Sequence, residues 1–160
     1  MAPAKIVVTS VADETARKTV DDLLREARSG LDRLEPAQAL AAQREGAVLI
    51  DTRSSDERRR EGVIPGSLHI PLSVLQWRVD PDADPAFHNP HIHGLDQWLV
   101  LVCAHGCSTS LAAATLQELG FARATDMIGG FSAWEAAGLS VHAAPAVDPD
   151  AVPGMGDPEP

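Results

Sequence analysis

An apolar run, Trp98-Leu99-Val100-Leu101-Val102, ends in a cysteine loop that passes at once into a helix pattern, and this constrains the fold more than any other stretch of the chain. The run reads as a strand, and residues 110–119 read as a helix stopped by Gly120. Between them lies Cys103-Ala104-His105-Gly106-Cys107-Ser108-Thr109. In open α/β sheets, ligands bind at the carboxyl ends of strands, which is where this cysteine falls. The helix N-terminus behind it favours negative charge, so the thiol ionises more readily than a free one, and the thiolate is the nucleophile in cysteine chemistry. On the residues alone, the alternative is a buried Cys103 acting as a small apolar side chain.

The rest of the chain alternates in the α/β manner. A first helix is expected over about 11–30, with Asp13 as N-cap, Val20, Leu23, Leu24 and Ala27 as its packing face, and Gly30 as its end. Its apolar stripe suits either a packing extension or a helix that pairs with a partner. A short strand over 31–34 follows, then a helix over 36–44 with proline at its first position. Residues 47–52 form an apolar strand of the central parallel kind. Residues 54–61 form a polar helix in which Arg58-Arg59-Arg60 reads as a solvated face. A strand over 67–70 and a helix from Pro71 through Trp77 come next. Asp80 to Asp96 is turn-rich and reads as a mobile surface loop. Its His88, His91 and His93 lack cysteine partners and helical spacing, so no metal site is expected there. A last strand over 124–127 leads through Gly129-Gly130 to a helix over 131–137 capped by Gly138, with Phe131 and Trp134 in the core. Trp77 and Trp98 suit a pocket mouth or the core equally. After Ala143 the chain is rich in proline and poor in apolar residues, which predicts disorder.

Several of these segments share an order and spacing. Asp51-Thr52-Arg53 closes a strand, Glu61-Gly62-Val63-Ile64-Pro65-Gly66-Ser67 forms a turn, the cysteine loop carries Cys-x-x-Gly, and Gly129-Gly130-Phe131-Ser132-Ala133-Trp134 follows. In that combination the chain resembles the rhodanese family of sulfurtransferases, from about Leu34 to Val141. The resemblance implies an open parallel five-stranded sheet with helices on both faces, preceded here by an N-terminal helical extension. It divides the chain into an extension over 1–33, a rhodanese-like domain over 34–142 and a tail over 143–160. No internal repeat suggests the two-domain form. The resemblance further implies that Cys103 takes sulfane sulfur from a small-molecule or protein-bound donor and passes it to a thiol or other nucleophile, with no cofactor. Backbone N–H groups of Ala104 to Thr109 would curl around the sulfur, an anion-binding nest in which Gly106 supplies the tight turn and Ser108 and Thr109 add hydroxyl donors.

Ala104 and Ser108 stand where thiosulfate-using members often carry arginine, which weakens the case for that donor. His105 would supply part of the charge if protonated, or is simply solvated. Thr109 occupies the place of the arginine that phosphate-ester chemistry on this topology needs, so a phosphatase is disfavoured. Cys107 is either a resolving thiol, making the loop a redox switch, or a passive one. Asp51 and Arg53 read as support for neighbouring loops, with proton or substrate handling as the alternative. A non-catalytic binding module on the same fold is the competing class of function.

Charge excludes some partners. Thirteen lysines and arginines face 23 acids, a formal charge of −10. That argues against nucleic acid and against an anionic membrane surface. Two cysteines four apart make no disulfide scaffold and suggest a reducing compartment. With no signal-peptide pattern or apolar span, the cytoplasm is the expected location.

Overall fold

The computed structural model of the protein describes residues 16–148 and 151. Helix α1 (Val20–Ser29) is followed by α2 (Pro36–Arg44), β1 (Val48–Asp51), α3 (Ser55–Glu61) and β2 (Leu68–His69). A 3₁₀ turn at Leu72–Val74 leads into α4 (Leu75–Val79), then β3 (Leu99–Val102), α5 (Ser108–Glu118), β4 (Thr125–Asp126) and α6 (Gly130–Ala136).

All strand pairings are parallel, in the order β2-β1-β3-β4. The sheet therefore has four strands rather than the expected five. The strand expected over 31–34 is reduced to a single parallel bridge, Leu34 to Met127, at the β4 edge. The reason is local. Leu31 N–H still bonds Arg28 of the α1 end, while Glu35 caps α2 and Pro36 has no N–H, so only Leu34 is free to pair.

Alternation along the strands splits the core into two layers. Ile50, Leu99 and Leu101 face Leu75, Val79, Ala113, Leu116 and Phe121, which come from α4, α5 and the turn after it. Leu49, Val100 and Val102 face Ala39, Ala42, Phe131 and Trp134 of α2 and α6. Helices thus cover both faces, and β3 is buried at every position. From β1 the chain crosses to β2 on one side, and from β3 it crosses to β4 on the other. The neighbouring pair β1–β3 is therefore the topological switch point, where the strand ends leave a crevice for a ligand.

Helix α1 starts at Val20 rather than near residue 11. Thr19 is its N-cap, with a reciprocal capping box to Asp22, and the expected cap at Asp13 lies outside the described residues. The helix lies along α5, but none of its residues is buried. Of its expected packing face, Leu24 and Ala27 are partly covered while Val20 and Leu23 are 62 % and 42 % exposed.

Four further expectations change. Arg58 is buried, so only Arg59 and Arg60 form a solvated face. The segment from Asp80 to Asp96 is pinned: Ile92 enters the core, and the buried Asn89 donates its N–H to the Arg78 carbonyl at 2.8 Å. Trp77 is exposed, and Trp98 stands at the start of β3, the end opposite the cysteine, under the Arg123 guanidinium. Beyond Ala143, Asp148 reaches back to His69 Nδ1 at 3.0 Å and to Arg58 at 3.8 Å, so the segment as far as Asp148 has an anchor that composition did not announce. Among the described residues no helix is long and apolar enough to cross a membrane, and no three His, Cys, Asp or Glu side chains group as metal ligands.

Candidate active site

Cys103 follows β3 directly, and Thr52 follows β1 beside it, its hydroxyl donating to the Val102 carbonyl at 3.0 Å. The turn after Cys103 is tight because Gly106 takes φ +78, a left-handed angle that side chains rarely adopt. That turn brings the Gly106 N–H to 3.1 Å from Cys103 Sγ, and it donates there. From the first turn of α5, Thr109 Oγ1 lies 3.2 Å from the same sulfur. Helix α5 begins at Ser108, two residues earlier than expected, which places the sulfur just ahead of its N-terminus.

Cys103 is 8 % exposed, and burial by itself raises the thiol pKa. Hydrogen bonds from the Ser108 hydroxyl, the Thr109 hydroxyl and backbone, and the Gly106 N–H together outweigh that effect and hold the pKa below its ordinary value. Cys103 therefore sits in a nearly closed cradle whose donors favour its thiolate form. His105, Cys107 and Ser108 are exposed, and Ala104 is partly covered. Both cysteines are free, one buried and one facing solvent.

The back of the loop rests on the glycine pair. A Cβ on Gly106 would lie 2.7 Å from Gly129 N and 3.0 Å from Met127 O. One on Gly130 would lie 2.3 Å from Cys103 O and 2.8 Å from Gly106 N. Phe131 N–H then donates to Cys103 O at 2.8 Å, and Ser132 N–H to Ala104 O at 3.1 Å. Only glycine at Gly130 lets the α6 N-terminus come this close.

Asp51 and Arg53 form a buried pair. Arg53 holds Asp51 through Nε at 3.1 Å and Nη2 at 2.8 Å, and also donates to Glu61 at 2.9 Å and to the Gly62 carbonyl at 2.8 Å. Its guanidinium lies 3.6 Å from the Phe131 ring centroid. None of these hydrogen bonds goes to Cys103. The pair thus touches Phe131, whose N–H donates to the Cys103 carbonyl.

Three charged residues that sequence reading did not select also meet here. Arg28 Nη2 donates to the Gly106 carbonyl at 3.0 Å and Arg33 Nη2 donates to the same oxygen at 3.1 Å. Arg33 also grips the fully buried Asp126, at 2.8 and 3.1 Å. Asp126 in turn accepts from Ser110 Oγ at 2.8 Å, and Thr109 Oγ1 lies 3.4 Å from it. The one signal in the sequence was a carboxylate inside an expected strand, directly before Met127 and Ile128, which must find a cation when buried. Nothing in the sequence marked the arginines as its partners.

Known proteins share this fold and much of its sequence. Residues 35–137 match the family model described as Rhodanese-like domain. A thiosulfate sulfurtransferase GlpE of Pseudomonas savastanoi pv. phaseolicola is 35% identical over 105 residues, 65% of this chain and 87% of that protein. The GlpE of Pseudoalteromonas translucida is 52% identical over 95 residues, 59% of this chain and 78% of its own. Among solved structures, a Rhodopseudomonas palustris protein of unknown function, described as a possible tyrosine phosphatase, superposes with a TM-score of 0.71 at 32% identity, covering 81% of this chain and 98% of that one. The human single-domain sulfurtransferase TSTD1 gives a TM-score of 0.56 at 26% identity, covering 65% of this chain and 95% of that one.

Proposed function

The chain belongs to the rhodanese family and is a sulfurtransferase, and from that premise we propose that it carries sulfane sulfur as a persulfide on Cys103. One observation carries this reading: a buried thiol whose sulfur receives an N–H and lies against a hydroxyl in a strand-to-helix loop. Such a cradle favours an anionic sulfur before transfer and after it.

The Cys103 thiolate attacks the outer sulfur of the donor. A Cys103–sulfur bond forms, and the donor's own sulfur–sulfur bond breaks with its electron pair leaving on the departing group. With thiosulfate that group is sulfite. An acceptor thiolate, or cyanide, then attacks the terminal persulfide sulfur and Cys103 leaves as the thiolate it began as. The intermediate is covalent and needs no cofactor. Sulfur transfer by this route leaves Cys103 a thiol between cycles, which favours a reducing compartment such as the cytoplasm.

The relatives' names favour thiosulfate as donor, against the weaker case made by Ala104 and Ser108. An N–H cradle closes around a single sulfur without a guanidinium, so missing loop arginines leave the first step intact. Phosphate-ester hydrolysis, the activity suggested for the Rhodopseudomonas protein, is the second reading. It lacks support from Thr109, which stands where that chemistry needs a cation.

Intact mass spectrometry after treatment with thiosulfate or an organic persulfide tests the assignment. One added sulfur is expected on the wild type and on Cys107→Ala, and none on Cys103→Ala. No adduct with any donor, from protein whose Cys103 still alkylates, overturns the persulfide reading and leaves a binding module. Hydrolysis of an aryl phosphate that depends on Cys103 would favour the phosphatase instead.

A further inference from the structure

The family match begins at residue 35, yet the Gly106 carbonyl is held by two guanidiniums from before that point. Arg28 is the penultimate residue of α1, and Arg33 lies in the link to α2. Their bonds to that oxygen run 78 and 73 positions along the chain. Ser110 Oγ adds a longer contact of 3.4 Å to the same carbonyl. A backbone carbonyl held by two charged donors is unusual, because each guanidinium gives up solvation to point there.

The location gives this arrangement its meaning. Gly106 has its N–H on Cys103 Sγ and its C=O on the two arginines, so the residue is clamped at both ends. Its left-handed φ leaves that conformation undefended by side-chain sterics. Packing accounts for only part of why α1 sits here: Leu31 just beyond it enters the core, while within the helix Leu24 and Ala27 are only partly covered. Arg28 also donates through Nε to Ser110 Oγ at 3.1 Å, and Arg33 secures Asp126, the carboxylate that accepts from Ser110 and lies near Thr109. Three charges therefore stand behind the loop, Arg28, Arg33 and Asp126, and their sum is positive. In front, His105 is exposed, and Arg53 and Arg58 are matched by Asp51, Glu61 and Asp148 within their own network.

We propose that Arg28 and Arg33 are positioning residues of the sulfur site, supplied by the N-terminal extension: they hold the Gly106 carbonyl so that its N–H stays aimed at Cys103, and they bring to the rear of the loop the positive charge that Ala104 and Ser108 do not provide at its front. The extension is then part of the active site. This rests on the sulfurtransferase reading only where sulfur loading is the readout.

Full-length protein is labelled with iodoacetamide across a pH series, with Cys103 and Cys107 resolved by peptide mapping. Sulfur loading from thiosulfate and thermal unfolding are measured alongside. Arg28→Ala leaves the Arg33–Asp126 pair in place, so it should fold. It should raise the apparent Cys103 pKa by roughly half a unit to one unit and slow loading at pH 7 about three- to tenfold. Arg28→Lys restores charge but not the fork, so it should recover the pKa more fully than the loading rate. Arg33→Lys keeps a cation on Asp126 and should move both readouts in the same direction as Arg28→Ala. Unchanged Cys103 pKa and loading in both Arg28→Ala and Arg33→Lys, with unfolding temperatures kept, overturns the proposal. A shifted pKa in variants of a wild type that loads no sulfur would uphold the positioning role and reject the transfer reaction.

Discussion

Gly106 serves the site by what it lacks. Its φ of +78 and its contact with Gly129 N and Met127 O leave no room for a methyl group, and the same turn presents its N–H to the sulfur. Gly106→Ala forces the loop to shift away from the Gly129-Gly130 shelf, and the donor moves with it. Removing one preorganised donor from a developing anion costs about a hundredfold in rate, so persulfide formation should fall on that order. The pH at which Cys103 alkylates should rise in parallel. The sign follows from the cause. The hydrogen bonds favour the thiolate, so wild-type reactivity is present above the lowered pKa and is lost as pH falls through it. Alkylation rate against pH checks both expectations; an unchanged profile in Gly106→Ala would mean the N–H does not tune the sulfur.

At the scale of the element, α1 stands apart from the other helices. It is amphipathic, yet it buries nothing fully and depends on its ends. At its start, the Thr19 backbone N–H, the Thr19 hydroxyl and Arg25 hold Asp22 at a pKa of about 2. A depressed carboxylate contributes its stabilisation above the ordinary range and loses it as pH falls through the folded value, so this cap persists through mildly acid conditions. Thr19→Ala removes the reciprocal bond and should cost the helix about 1 kcal/mol. Because the core is untouched, the result should be faster amide exchange over residues 20–29 with little change in global unfolding temperature. Exchange no faster than wild type would show that α1 is held by its contact with α5 alone. Helix α5 shows the opposite economy: Ala112, Ala113 and Leu116 are buried against β3, and its first turn is committed to the sulfur.

Across the whole molecule, one buried charge network ties the layers together near the strand ends. Arg53 joins Asp51 of β1, Glu61 and Gly62 at the end of α3, and the Phe131 ring of α6. His69 at the end of β2 places Nε2 2.8 Å from the Arg53 carbonyl and Nδ1 3.0 Å from Asp148. Arg58 shares Asp51 at 3.3 Å and Asp148 at 3.8 Å. Breaking a buried pair from one side costs about 3–5 kcal/mol where the other charge is stranded, and removing Arg53 leaves Asp51 only the longer Arg58 contact. Arg53→Ala should therefore lower the unfolding temperature by roughly 10 °C. A drop no larger than that of an exposed control such as Arg59→Ala would show that Arg58 alone suffices to hold Asp51. The loss should be structural first, since Arg53 makes no hydrogen bond to Cys103.

The sequence alone determined the alternation of strands and helices, the cysteine at the end of β3, the need for glycine in its loop and the Gly129-Gly130 entry to α6. Each of these is written within about ten residues, as a periodicity, a cap or a turn. Tertiary structure decided what those stretches meet. Arg28 and Arg33 find Gly106, and Arg33 finds Asp126, over separations of 73 to 93 positions, because α1 lies along α5 and Leu34 pairs at the β4 edge. The buried Arg58, the anchored Ile92 and the returning Asp148 arise in the same way. A charged side chain reads as solvated until a distant carboxylate or carbonyl is brought to it, and only the packing of elements brings it there.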